Sequence, residues 1–398
     1  MQKNIFYGIL LIIGTSIGAG LLALPIATAK ADFISATILL LACWLIMTTG
    51  AFCILEVNLW FSKDSNLVSM AKKTLGHSGK LIIWFVYLLL FYSLLAAYIS
   101  GGSDVLYGIL ATYHIKISSL LTTIIFTVIF GVIVYLGIRS VDYMMRCLMS
   151  VKMLVFILMI LIIFRHVNAN TLLVNGHTRY ILSALMVVVT SFGFAIIVPS
   201  LRVYYQDDVK KLIRLIAYGS LIPLVFYLCW ILVVRGALNY NTLLLSVNNP
   251  QPTTFLTQSI ILVIKNNWFV LLANIFTSIC MVTSFLGVAL SMTHFIADGF
   301  KLSKSNFSRS ISFVITFCPP LLLTLLNPAI FIASLNYAGI FCIILLALMP
   351  GLMLWYGRYK KNLRGPFRLF GGKITIIIQI FISILVLLIA ILQYAHVL

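Results

Sequence analysis

Residues 14–25 read Gly14-Thr15-Ser16-Ile17-Gly18-Ala19-Gly20-Leu21-Leu22-Ala23-Leu24-Pro25. They lie inside an apolar stretch, 5–29, that is long enough to cross a bilayer. Three glycines and two hydroxyl residues fall in the first seven positions, near the expected midplane. Each glycine weakens a helix by about 1 kcal/mol relative to alanine. The stretch therefore reads as a helix interrupted within the membrane, whose freed peptide groups need partners from protein, substrate or ion because lipid offers none. A packing role stands beside this reading, since Gly14 and Gly18 form a GxxxG pair. A phosphate-binding loop does not, because no Lys-Ser/Thr follows. Lys3, the apolar run from Ile5 to Ile13 and Ala27-Thr28-Ala29 imitate a signal peptide, but the apolar section is too long and ten further spans follow.

A second interruption, Thr190-Ser191-Phe192-Gly193-Phe194 followed by Pro199, falls in the sixth apolar span. Spans 1 and 6 head two five-span halves, and an odd repeat length turns the second half over in the membrane. Paired Gly/Pro-interrupted segments at corresponding positions point to a transporter binding site. The expected fold is all-α and polytopic, with residues 1–165 and 179–356 as inverted repeats, broken helices 1 and 6, and an added helix at 374–395.

Composition supports the membrane reading. Of 398 residues, 62% are apolar and 9% charged, with a mean hydropathy of +1.14; soluble domains are about 45–50% apolar and about 25% charged. Long apolar runs also exclude an outer-membrane barrel, whose strands alternate over about ten residues. Net charge is +19, yet the basic residues cluster in short segments between apolar runs, which is a topology signal and not a nucleic-acid-binding face. Seven cysteines include no CxxC pair, and six of them (Cys43, Cys53, Cys229, Cys280, Cys318, Cys342) sit in apolar runs, so neither a disulfide framework nor a metal site is indicated.

Eleven stretches reach spanning length: 5–29, 33–61, 81–110, 117–138, 149–165, 179–200, 212–236, 268–298, 310–327, 329–356 and 374–395. With the N-terminus in the cytoplasm, only Lys30, Lys116, Arg165, Arg179, Arg235 and Lys265 of the 27 basic residues face outward, leaving 21 inside. That asymmetry satisfies the positive-inside rule and, with an odd count, sends the C-terminus outside. The longest loop, 237–267, is too short for a soluble catalytic or receptor domain, so one membrane domain fills 1–398.

Polar stripes at helical spacing suggest a polar interior. Thr277, Cys280, Ser284, Gly287, Ser291, His294 and Asp298 share a face of span 8; Ser93, Ala97, Ser100 and Asp104 share one of span 3; Thr49, Cys53, Glu56 and Trp60 share one of span 2. Small-residue packing accounts for part of each stripe. It accounts poorly for Glu56, the acid lying several residues inside a span. Asp104 and Asp298 lie near span ends, within reach of water.

These segments resemble the bacterial aromatic amino acid permeases, the tyrosine- and tryptophan-specific transport proteins. The resemblance is carried by residues 14–25, Leu55-Glu56-Val57, Ala96-Ala97-Tyr98-Ile99-Ser100-Gly101, Thr190-Ser191-Phe192-Gly193-Phe194, Val198-Pro199-Ser200, Gly219-Ser220-Leu221-Ile222-Pro223 and Thr283-Ser284-Phe285-Leu286-Gly287-Val288-Ala289-Leu290. It implies a LeuT-like fold and import of an aromatic amino acid, tyrosine first, by proton symport with alternating access across a bacterial inner membrane. No cofactor, nucleic acid or obligate protein partner is implied. The family commonly carries His after the Phe-Gly-Phe of span 6; here the residue is Ala195.

A zwitterionic substrate then finds its carboxylate site at the backbone of Thr15, Ser16, Ile17, Gly18, Ala19 and Gly20, helped by a helix N-terminus. Carbonyls around Ser191 and Gly193 accept from its ammonium, and Phe192, Phe194, Tyr98 and Tyr92 are candidates for its ring. Glu56 is the candidate proton carrier or, alternatively, a structural acid bonded to loop backbone. The rival is a sodium-coupled neutral amino acid symporter, with Thr283, Ser284 and a carbonyl near Ile17 as ligands, although a hard cation wants five or six oxygens. A channel would need charged rings or a carbonyl filter, and an intramembrane enzyme a convergent nucleophile–base or metal constellation; the sequence offers neither.

Overall fold

The computed structural model describes residues 5–112, 114–115, 117–173, 178–300 and 306–395; Lys3, Lys116, Lys301 and Lys304 of the charge count lie outside them. Every element among the described residues is helical: α1 (Ile5–Ser16), α2 (Ala19–Ala27), α3 (Phe33–Leu59), α4 (Leu67–Thr112), α5 (Ser119–Tyr135), α6 (Ile138–Phe164), α7 (Ala169–Leu173), α8 (Leu185–Ser191), α9 (Val198–Tyr205), α10 (Val209–Ala237), α11 (Tyr240–Asn248), α12 (Pro252–Ile264), α13 (Asn267–Gly299), α14 (Asn306–Leu326), α15 (Phe331–Ile343), α16 (Met349–Tyr359) and α17 (Gly372–Tyr394). Three-residue-per-turn segments flank α8, at Thr178–Ala184 and Gly193–Ile197, and a wide turn, Ile344–Leu348, joins α15 to α16.

Among the described residues nine helical segments are long and apolar enough to cross a membrane, and α1 with α2, bent by 50°, makes a tenth. The remaining expected span, 117–138, forms the 17-residue α5. At 1.5 Å per residue it is about 26 Å long, against a hydrocarbon core of about 30 Å. The loop 237–267 is largely helical, since α11 and α12 fill most of it. Span 5 also differs: the helix begins at Ile138 rather than at 149. Asp142 and Arg146, one turn apart in that polar first stretch, pair at 2.7 Å.

The bundle is layered about α2, α8 and α13. The spanning windows of α13 and of the α15–α16 segment are 61% and 67% buried, while those of α6, α14 and α17 are only 28% buried and form the rim. Glycines set the closest contacts, because packing rather than hydrophobic exclusion holds helices together in lipid. A Cβ on Gly339 would strike the backbone of Met186, which fixes α15 against α8. Gly50 of α3 meets the carbonyl of Leu346 in the wide turn in the same manner. Pro350 lies four residues beyond Leu346, and without an N–H it cannot bond that carbonyl, so the turn widens there.

Candidate functional site

The first interruption is narrower than expected. Gly14, Thr15 and Ser16 stay helical: the Ile17 amide still reaches the Ile13 carbonyl at 2.7 Å, and Thr15 Oγ1 donates back to Ile12 at 2.9 Å. Gly14 makes room for the methyl of Met149, a packing role. The chain breaks at Ile17–Gly18, where Gly18 is extended (φ −154°, ψ −139°). A Cβ there would overlap the Ser284 hydroxyl. That hydroxyl accepts the Ala19 amide at 3.0 Å, so α13 caps the second half-helix, satisfying one of the orphan donors at its start.

The second interruption lies opposite. α8 ends at Ser191, Phe192 leaves the α-helix, and the chain tightens into Gly193–Ile197 before α9 begins with Pro199 in its first turn. The two breaks touch: a Cβ on Gly20 would lie 2.8 Å from Ser191 Oγ and 3.4 Å from its Cα. Tyr227 of α10 joins them. Its hydroxyl oxygen lies 2.6 Å from the Ser16 carbonyl and 2.8 Å from the Ser191 carbonyl, and its ring packs edge-on against Phe192 at 5.2 Å.

The third freed carbonyl, that of Ile17, is taken by Lys152. This side chain is completely buried, and its Nζ donates to the Ile17 carbonyl at 2.5 Å and to Thr283 Oγ1 at 3.3 Å. The amine thus holds two of the three groups expected to bind sodium between spans 1 and 8, while Ser284 is engaged by Ala19. Lys152 falls near the start of the expected span 149–165; with α6 starting at Ile138 it lies mid-helix. A lysine followed by unbroken apolar sequence to residue 163 was the available signal.

Of the proposed substrate residues, Phe192 and Phe194 are fully buried beside the breaks, and Gly193 faces Cys342, with 3.5 Å between a built Cβ and Sγ. Tyr98 is partly buried and packs against both core clusters. Ser16 Oγ is buried without a hydrogen-bond partner among the described residues. Thr15 is exposed. Tyr92 is not brought to the breaks: its hydroxyl donates to the Ile315 carbonyl of α14 at 2.9 Å. Six residues before Tyr98, it is turned by roughly 240° around the helix.

Glu56 is equally distant from the breaks in role. Its carboxylate receives Arg358 Nε at 2.7 Å, Arg358 Nη2 at 2.5 Å and the Leu369 amide at 2.7 Å, all of them buried. The pair ties α3 to α16 and to the segment that leads into α17. Nearby, Arg202 at the end of α9 donates to the backbone carbonyl of Asn58 and to Asp207 Oδ1 at 2.6 Å, and Lys63 reaches Asp207 at 3.2 Å. The Arg202 hydrogen bond, assisted by Lys63, holds the Asp207 carboxyl below the usual range. On the far face, Arg235 of α10 donates to the carbonyls of Thr28 (2.8 Å) and Ala31 (2.6 Å), anchoring the end of α2.

A chain of this geometry matches the model of the tryptophan/tyrosine permease family over residues 1–390. The chain belongs to the tryptophan/tyrosine permease family. It is 32% identical to tyrosine-specific transport system 1 of Haemophilus influenzae, over 95% of this chain and 94% of that protein. It is 31% identical to the tryptophan-specific transport protein of the same organism, over 96% and 94%. Glutamine transporter 2 of Aliivibrio fischeri is similar at 28% identity, over 91% of each. The permease is therefore a multi-pass transport protein and not an enzyme.

Proposed function

We propose that this permease imports an aromatic amino acid, tyrosine foremost, by proton symport, and that Lys152 is the group that takes up and releases the proton. The carrying observation is the buried amine on the Ile17 carbonyl and Thr283 hydroxyl. An ammonium there supplies the positive charge that a sodium ion would otherwise bring, and it holds two of the oxygens such an ion would need. A second cation beside it would be repelled. Protonation ties the break in span 1 to α13; loss of the proton weakens that tie and frees α1 to move relative to the rest of the bundle. Glu56 has a structural role in this reading, because its partners Arg358 and Leu369 satisfy it on every side.

The substrate lies against the breaks. The first turn of α2 presents a positive helix end to its carboxylate, Ser16 Oγ offers a further partner, and Phe192, Phe194, Gly193 and Tyr98 bound the ring slot. Tyrosine leads because relatives of comparable length are tyrosine-specific by name. The glutamine transporter among them makes neutral amino acids the second substrate class. The two breaks heading equal halves support a LeuT-like inverted repeat. Counting α5 as a span gives eleven, an odd number that puts the termini on opposite sides; the excess of basic residues on one side supports a cytoplasmic N-terminus and a periplasmic C-terminus in a bacterial inner membrane.

Uptake into proteoliposomes tests this. Labelled tyrosine should accumulate under an inward proton gradient and not under a sodium gradient, with tryptophan and phenylalanine competing better than glutamine. Accumulation that requires sodium and ignores pH would contradict the proton assignment.

A further inference from the structure

The connection from α16 to α17, residues 360–371, is an irregular strap fixed along its length. The Leu363 amide donates to the Gly357 carbonyl at 2.8 Å. Gly365 lies against Trp60, where a built Cβ would come within 2.8 Å of Cδ1. Phe367 packs on Phe52 with ring centres 6.2 Å apart. The Leu369 amide donates to Glu56 at 2.7 Å, and its carbonyl accepts Arg358 Nη2 at 3.3 Å. Past Pro366 the strap alternates as an extended chain does, with Phe367 and Leu369 inward and Arg368 and Phe370 outward. Phe370 is 82% exposed.

The outward side of the strap is cationic. Lys360, Lys361, Arg364, Arg368 and Lys373 fall between Tyr359 and Ile374, with no acid among them. Glu56, the acid that reaches the strap from below, is already met by Arg358 and the Leu369 amide. Lys361 donates to the Lys73 carbonyl at 2.7 Å, which brings the basic start of α4 alongside. Lys63 meets Asp207 and Lys211 meets Asp208, but among the described residues no acid pairs with the exposed bases of the strap. The Lys373 ammonium rests over the rings of Trp355 (5.5 Å) and Tyr359 (5.9 Å), which hold it in place. Directly after it, α17 runs along the rim of the bundle. Ile374, Ile377, Ile378 and Phe381 are all exposed and, at helical spacing, share one face.

We propose that the strap and the first turns of α17 bind an anionic phospholipid, with its phosphodiester between Arg368 and Lys373, Phe370 at the boundary of headgroup and chains, and an acyl chain along Ile374, Ile377, Ile378 and Phe381. Fixed cations, an exposed aromatic ring and an apolar stripe follow one another in the order that headgroup, interface and chain do in a lipid. The planar fork of Arg368 matches phosphate oxygens, and Lys373 adds a point charge. A zwitterionic headgroup brings its own cation, which Lys360, Lys361 and Arg364 repel, so the site selects net negative charge. An acidic soluble partner satisfies the charges but leaves the α17 stripe uncovered, because that stripe is reached from within the bilayer. The inference needs α17 to cross the membrane and is independent of the substrate and coupling ion.

Native mass spectrometry of the full chain, released from nanodiscs holding phosphatidylcholine and phosphatidylglycerol in equal amounts, tests the proposal. Wild type is expected to retain phosphatidylglycerol in preference to phosphatidylcholine. Arg368→Gln/Lys373→Gln is expected to lower that preference about thirtyfold, the equivalent of about 1 kcal/mol for each basic residue removed. Lys210→Gln/Arg214→Gln takes the same charge from exposed positions of α10 and is expected to leave the preference unchanged. Arg364→Gln/Arg368→Gln carries the test if the first pair does not yield monodisperse protein. Equal retention of the two lipids by wild type, or an equal loss of preference in the α10 pair, overturns the site. Displacement of phosphatidylglycerol by excess inorganic phosphate also overturns it, since a free anion then suffices.

Discussion

The hydroxyl oxygen of Tyr227 stands 2.6 Å from the carbonyl oxygen of Ser16, and from the same position it reaches the Ser191 carbonyl at 2.8 Å. One side chain of α10 thus serves the two helix breaks together. Its single proton bonds one carbonyl at a time, so the contact can pass from one break to the other as they shift.

Removing that hydroxyl leaves both carbonyls without this donor. Tyr227→Phe keeps the ring against Phe192 and should cost about 1–3 kcal/mol, the penalty of buried acceptors left unmet. A lower unfolding temperature in detergent, together with slower tyrosine uptake at equal membrane abundance, is the expected result. Unchanged stability would mean that water replaces the hydroxyl.

The two break glycines should respond differently to alanine. At Gly18 an added methyl overlaps the Ser284 hydroxyl, whereas at Gly193 it meets Cys342 Sγ at an ordinary 3.5 Å. Gly18→Ala should lower stability and uptake, with partial recovery in Gly18→Ala/Ser284→Ala. Gly193→Ala should insert and purify like wild type. Equal behaviour of the two single variants in gel filtration and thermal unfolding would contradict the packing described.

What the sequence made legible follows from local chemistry. Gly18, Pro25 and the Ser191–Gly193 segment carry their own signal, because glycine and proline alter backbone freedom wherever they sit. The extent of the first break was not legible, since the helical amides up to Ile17 keep their partners despite Gly14. The partners that satisfy the breaks were hidden for another reason. Tyr227 is one of 18 tyrosines, and nothing local marks it. Lys152 follows the charged stretch Asp142–Arg146, which masks where the helix starts. Glu56 was conspicuous, but its partner Arg358 lies 302 residues away, and only the fold joins them.

The Glu56–Arg358 pair should behave as a buried structural ion pair. Glu56→Gln leaves Arg358 charged and uncompensated, which typically costs about 3–5 kcal/mol. Folded protein should fall sharply, and pairing Glu56→Gln with Arg358→Met should restore part of it. Proton-driven uptake per folded molecule should persist. Full yield and stability in the single variant, with coupling lost, would return the proton role to Glu56.

The contact of Asp207 with Arg202 and Lys63 gives a pH prediction. Its carboxyl is held below the ordinary aspartate value of 3.8 by the Arg202 hydrogen bond first and Lys63 next. A depressed acid stabilises the folded state above its unfolded pKa, and that contribution is lost as pH falls through the depressed value. Between pH 8 and 5 the difference in unfolding temperature between wild type and Asp207→Asn should therefore stay constant. It should shrink only below about pH 4. A difference that vanishes near pH 6 would show that Asp207 is not held in this way.

The amine of Lys152 on the Ile17 carbonyl is the centre of the account, and Lys152→Gln tests it most directly. The amide can still donate to that carbonyl but cannot carry a proton. In proteoliposomes the variant should lose accumulation of labelled tyrosine driven by a proton gradient while retaining tyrosine–tyrosine exchange without a gradient. Uphill, proton-driven accumulation by Lys152→Gln at the wild-type level would contradict the account.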